Sequence, residues 1–156
     1  MDYETVIREV PTIKVAALAH RGGYGQIGAT FEQMVVKAAR LNLFGLATRF
    51  FAIYYDDPST TAQDALRSDV CVTVPEVWAA TEGLEPREIR GGRYAVTLHV
   101  GPYAELGRAY RSLYEQWLPQ SGETPDRTPL VEAYLNDARL VSARDLRTEI
   151  WLPLAG

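Results

Sequence analysis

The strongest constraint on this chain is that it reads as the same unit written twice. The stretch HRGGYGQIGATF, His20 to Phe31, returns as HVGPYAELGRAY, His99 to Tyr110, 79 positions later (99 − 20). At that offset Ala16 falls on Ala95, Gly22 on Gly101, Tyr24 on Tyr103, Gly28 on Gly107, Met34 on Leu113 and Tyr55 on Tyr134. One residue of slip then aligns DVCVTVP with EIWLPL. A self-match across most of both halves indicates internal duplication. At 156 residues the chain is read as one domain, 1–156, with a first repeat at about 1–76, a linker at about 76–86 and a second repeat at about 86–156.

Each half carries the same order of local signals. TVIREV and IKVAALA flank Pro11-Thr12, and PREI and YAVTLHV flank Gly91-Gly92, so both pairs predict hairpins. A helix follows each pair. Ile27, Phe31, Met34, Ala38 and Leu41 keep helical spacing on one apolar face, as do Leu106, Tyr110, Leu113 and Trp117. Pro102 suits a first helical turn, and Gly45 and Pro119 are placed as the helix ends. RFFAIYY with SDVCVTV, and PLVEAYL with LRTEIWLPL, then predict two strand pairs. The expected fold is α+β: two β-β-α-β-β units about a pseudo-twofold axis, an antiparallel sheet with two main helices, and a central groove. One unit alone could not cover both its helix and its sheet face.

Composition excludes several functions. A net charge of −4 and a pI near 5.2 give no broad nucleic-acid footprint. No basic segment precedes an apolar run at MDYETVIREV, and no apolar stretch reaches the roughly 18 residues of a membrane span, so the cytosol is the expected compartment. The single cysteine, Cys71, leaves no internal disulfide and is expected to be buried in a strand. His20 and His99 sit at matched turns with no neighbouring Cys or His, so they read as turn-stabilising groups rather than metal ligands. No metal or cofactor is expected. Gly23-Tyr24-Gly25-Gln26-Ile27-Gly28 has dinucleotide-loop spacing but lacks the surrounding βαβ pattern. Asp56-Asp57-Pro58 reads as a turn rather than a carboxylate dyad.

Chemical interest lies where the halves differ. At the offset of 79, Glu132 in LVEAYL corresponds to Ile53 in FAIYY. Alternation puts Leu130, Glu132 and Tyr134 on one face and Val131, Ala133 and Leu135 on the other, and both faces read as buried. A carboxylate there must be protonated, bonded to hydroxyls, paired with a cation such as Arg49 or Arg147, or reserved for a cationic ligand. Aromatic residues accompany it: Tyr54, Tyr55 and Tyr134 on strands, and Tyr24, Tyr103, Phe31 and Tyr110 at the two helix starts. Rings around one acid form a site for a lipophilic cation, each desolvated contact contributing roughly 0.5–2 kcal/mol.

With these residues in view the chain resembles the GyrI-like family of stand-alone proteins and effector-binding domains of AraC-type and MerR-type transcription regulators. AIYYDDP, RSDVCVTVPE, IRGGRYAVTLHVGPYAELGRAYRSLYEQWLPQSG, VEAYLND and TEIWLPL carry the likeness, in the family's order and over nearly the whole chain. The resemblance implies the duplicated fold and a pocket for amphipathic, often cationic, drug-like molecules. It implies Glu132 as the pocket acid and Tyr55, Tyr94, Tyr103 and Tyr134 as pocket aromatics. YYDDP and YLND are similar to the gyrase-inhibitor group, which implies DNA gyrase or a regulator protein as a partner. Stand-alone relatives that hydrolyse cyclopropane-bearing genotoxins imply an alternative in which Glu132 is a general acid or base, with Trp78, Trp117 and Trp151 as the tryptophans to place. A small-molecule-binding module is the leading expectation, the hydrolase and the gyrase modulator its alternatives.

Overall fold

The computed structural model describes residues 3–156, and these fall into two compact units, one formed by residues 3–11 with 91–156 and the other by residues 12–90. Each is an α+β unit with a four-stranded antiparallel sheet and one main helix.

The second of these units, residues 12–90, holds β2 (Ile13–Arg21), α1 (Gly28–Arg40), β3 (Phe50–Tyr54), β4 (Arg67–Thr73) and β5 (Glu85–Ile89). Its strands run in the order β3-β4-β2-β5. Met34 and Ala38 of α1 lie on Ala16, Val70, Val72 and Leu84 in a fully covered core, with Ile27, Phe31 and Leu41 packed against it. That is the apolar stripe the 3–4 spacing predicts. Just past the cap residue Leu41, Asn42 takes a left-handed φ of 60° and turns the chain away from α1; Gly45 lies beyond that end.

The first unit holds β1 (Thr5–Val10), β6 (Gly92–Val100), α2 (Leu106–Arg111), a π-helical turn Ser112–Trp117, α3 (Leu118–Ser121), β7 (Leu130–Tyr134) and β8 (Arg147–Pro153). Its strand order is β1-β6-β8-β7. Ala109 and Leu113 lie on Ala95, Ile150, Leu152 and Leu154, and Leu106, Tyr110, Trp117, Leu118 and Leu130 flank them. Pro119 is the second residue of α3, a first-turn position where its missing N–H is tolerated, and Gly122 at φ 75° closes the helix.

The two hairpins expected at Pro11-Thr12 and Gly91-Gly92 are not formed. β1 is bonded to β6, Ile7 opposite Ala95, and β5 to β2, Lys14 opposite Glu88. Each turn instead carries the chain from one compact unit into the other, so the halves exchange their first strands. A turn signal specifies a reversal or crossing point, not which strand satisfies the backbone beyond it.

Matched elements also correct the register between halves. β2 and β6 differ by 79 (92 − 13), as do the 3₁₀ turns Tyr24–Gln26 and Tyr103–Glu105. β3 and β7 differ by 80 (130 − 50), as do β4 and β8. The slip therefore falls before β3, not after Tyr55. Glu132 holds the place of Ala52 rather than Ile53, and Tyr134 that of Tyr54 rather than Tyr55. The extra residue lies between Glu105 and Leu130, the stretch containing the π turn.

Candidate functional site

Glu132 is 5% exposed at the centre of β7, opposite Ile150 of β8. Its own strand supplies one partner: Tyr134, two residues on and hence on the same face, donates its hydroxyl to Oε1 at 2.6 Å. The second comes from α2, where Tyr110 donates to Oε2 through a short hydrogen bond. Bonding to neighbouring hydroxyls, one of the outcomes open to a buried acid, is thus realised on both oxygens. Tyr103, in its 3₁₀ turn, meets the Tyr134 ring edge-on at 6.0 Å and 83°. Burial, then the Asp137 and Glu132 charges, push the Tyr103 phenol upward, keeping it neutral at physiological pH. Glu132, Tyr110, Tyr134 and Tyr103 thus converge within one unit.

The same places in the other unit hold Ala52, Phe31, Tyr54 and Tyr24. The ring pair is kept, Tyr24 meeting Tyr54 at 4.7 Å and 66°. The Tyr24 hydroxyl lies 2.9 Å from the Arg67 carbonyl and accepts the Asp56 N–H at 3.0 Å, so it serves the loop after β3. Phe31 packs into the α1 core. Acid and hydroxyl partner therefore differ together between the units: Ala52 and Phe31 in one, Glu132 and Tyr110 in the other.

Two further buried carboxylates, which the sequence reading passed over, occupy the sheet faces away from the helices. Glu149 of β8 is gripped by both guanidinium nitrogens of Arg8, at 3.0 and 3.1 Å, and by the Trp151 indole N–H at 3.0 Å. Asp69 of β4 accepts the Tyr55 hydroxyl at 2.5 Å, with the Arg87 guanidinium 3.7 Å away. Burial, then the bond to Asp69, drive the Tyr55 phenol well upward. Both arginines come from the exchanged strands, β1 and β5. A charge inside SDVCVTV or TEIWLPL was the same signal that singled out Glu132.

Two of the expected aromatics lie apart from Glu132. Tyr94 is fully covered and packs at 5.6 Å on Trp151, on the face carrying Glu149 rather than Glu132. Tyr55 is bound to Asp69. Of the tryptophans, Trp78 flanks the α1 core and Trp117 the α2 core, while Trp151 is buried beside Glu149. His20 and His99 act at their turns: each Nε2–H donates at 3.0 Å to the carbonyl three residues on, Gly23 and Pro102. Their Nδ1 atoms then accept from Thr30 and Tyr3.

The GyrI-like small molecule binding domain model matches residues 3–155. The chain belongs to the GyrI-like family. It is 32% identical to the probable transcriptional regulator YgiV of Escherichia coli K12 over 151 residues, 96% of this chain and 94% of that one. It is 33% identical over 124 residues to a DNA gyrase inhibitor of Edwardsiella ictaluri, covering 76% and 78% of the two. The fold is shared with the EcmrR C-terminal domain (TM-score 0.79, 17% identity, 99% of each chain). It is also shared with SAV2435 bound to tetraphenylphosphonium (TM-score 0.67, 17% identity, 100% of this chain and 95% of that one). Among the described residues of this GyrI-like protein no helix is long and apolar enough to cross a membrane.

Proposed function

We propose that this protein binds amphipathic aromatic monocations, with Glu132 as the counter-charge and Tyr103, Tyr110 and Tyr134 as its aromatic surround. The observation that carries the reading is the paired difference between units: a buried carboxylate and the hydroxyl that bonds it occur together at positions where the other unit has Ala52 and Phe31. Folding of a unit does not require that pair, since the other unit is built without it. A carboxylate held by two phenols is fixed in position, its charge set among ring faces. Ring faces add cation–π attraction. The tetraphenylphosphonium carried by a protein of the same fold supports this ligand class.

The test is titration of wild type and Glu132→Gln with tetraphenylphosphonium and a neutral analogue of the same shape, read by tryptophan fluorescence and calorimetry. Saturable binding of the cation alone, weakened at least tenfold in Glu132→Gln (~1.4 kcal/mol or more), is expected. Equal binding of cation and neutral analogue, or an unaffected variant, refutes the counter-charge. Mass analysis of ligand recovered after incubation separates capture from hydrolysis. The gyrase-inhibitor relatives favour a second reading, contact with DNA gyrase. A supercoiling assay unaffected by a large excess of this protein removes it.

A further inference from the structure

The two strands exchanged between the units are the outer strands of their sheets, and they are built differently. β5 reads EPREI: Pro86, second of its five residues, carries no N–H, and Glu85, Arg87 and Glu88 surround it with charge. These are standard protections against strand addition. β1 reads TVIREV, without proline, with four β-branched residues in six, and with Val6 and Ile7 44% and 45% exposed. Among the described residues no strand pairs with its outer edge.

We infer that the free edge of β1 is a homodimer interface, joining two copies of this chain by antiparallel β1–β1 pairing centred on Val6. The register follows from geometry and charge. A twofold axis normal to the sheet keeps each face on its own side, so each residue pairs with one of the same alternation, and the axis passes through a residue paired with itself. Centred on Arg8, the pairing opposes two guanidinium groups. Centred on Ile7, it sets Val6 against Arg8 and Thr5 against Glu9, leaving every charge without an opposite one directly across. Centred on Val6, it brings the two Val6 side chains together and Thr5 against Ile7 of the second copy. It also sets exposed Glu4 against Arg8 of the second copy, twice by symmetry. Arg8 is 40% exposed while holding Glu149, so its solvent edge is open to a second carboxylate. A five-residue pairing, Glu4 to Arg8 on each copy, places the contact in the small, transient interface class.

Sedimentation velocity on the intact chain from about 10 µM to about 1 mM tests this across the affinity range of such interfaces. A concentration-dependent rise toward the dimer is expected. Val6→Lys, which opposes two ammonium groups at the axis on an exposed position, should weaken dimerisation at least tenfold while leaving the melting temperature unchanged. Val6→Cys should form a disulfide-linked dimer under mild oxidation, faster than Ile7→Cys; the native Cys71 is buried and does not compete. A wild type that stays monomeric throughout, a dimer indifferent to Val6→Lys, or faster cross-linking through Ile7→Cys overturns the inference. Should Val6→Lys prove poorly folded, the cross-linking comparison decides alone. Because β1 lies outside the residues around Glu132, Glu132→Gln should leave the dimer unchanged.

Discussion

Glu132 and Tyr110 share one hydrogen bond, so substitution at either exposes what the other needs. Tyr110→Phe installs the residue that the other unit uses at this place. It should destabilise the protein by about 1–3 kcal/mol in urea unfolding, since a buried carboxylate loses one of its donors. Glu149 obeys the same physics with a different partner. Arg8→Met withdraws the guanidinium from a carboxylate that is 11% exposed and should cost about 2 kcal/mol. That lies below the figure for fully buried pairs because Arg8 is partly solvated. Adding Glu149→Gln should recover part of the loss, the Trp151 N–H still finding an amide oxygen. Thr148 lies fully buried opposite Tyr134, and its hydroxyl has no hydrogen-bond partner. Thr148→Val keeps the shape and removes an unsatisfied group, so unfolding should show an equal or greater stability, by up to about 1 kcal/mol.

At the scale of elements, helix spacing was read correctly and helix ends were not. Apolar positions at 3–4 intervals identify the buried stripe because only one face of a helix meets the sheet. Ends depend on which residue can take a left-handed turn at the point where packing stops. Asn42 does so for α1 and Gly122 for the helix that follows the π turn, rather than Gly45 or Pro119. A Cβ on Gly122 would meet nothing within 4 Å, so Gly122→Ala isolates the conformational term. Calorimetry should show a loss of about 1 kcal/mol with no change in ligand affinity. The π turn was invisible beforehand, since a one-residue slip between aligned halves does not say where the chain absorbs it.

For the whole molecule, pH resistance is set by phenols on one side and loop carboxylates on the other. Burial raises Tyr24, Tyr55 and Tyr103, so above the ordinary tyrosine range, about 10, the unfolded chain releases protons that the folded one still holds. Stability should therefore fall as pH climbs past that point. Asp56, Asp57 and Asp137 are lowered, chiefly by side-chain hydrogen bonds from Arg67, Ser59 and Arg139 respectively. Their contribution is present above the ordinary carboxyl range and is lost as pH falls through their folded values. Thermal melts across pH should show a plateau between these limits, with its alkaline edge moved by Tyr55→Phe.

The α+β class, the two helices with their buried faces, the GyrI-like likeness and the oddity of Glu132 were all present in the order of residues. Each rests on a local period or on one charge amid apolar neighbours. Tertiary structure alone decided which strand each unit received, because any edge with open donors and acceptors can satisfy a strand and the turn sequence does not choose between them. It also decided which aromatics serve the acid. Tyr94 and Glu132 lie on opposite faces of one sheet, and Tyr55 found Asp69 instead, outcomes fixed by register and by a single slipped residue.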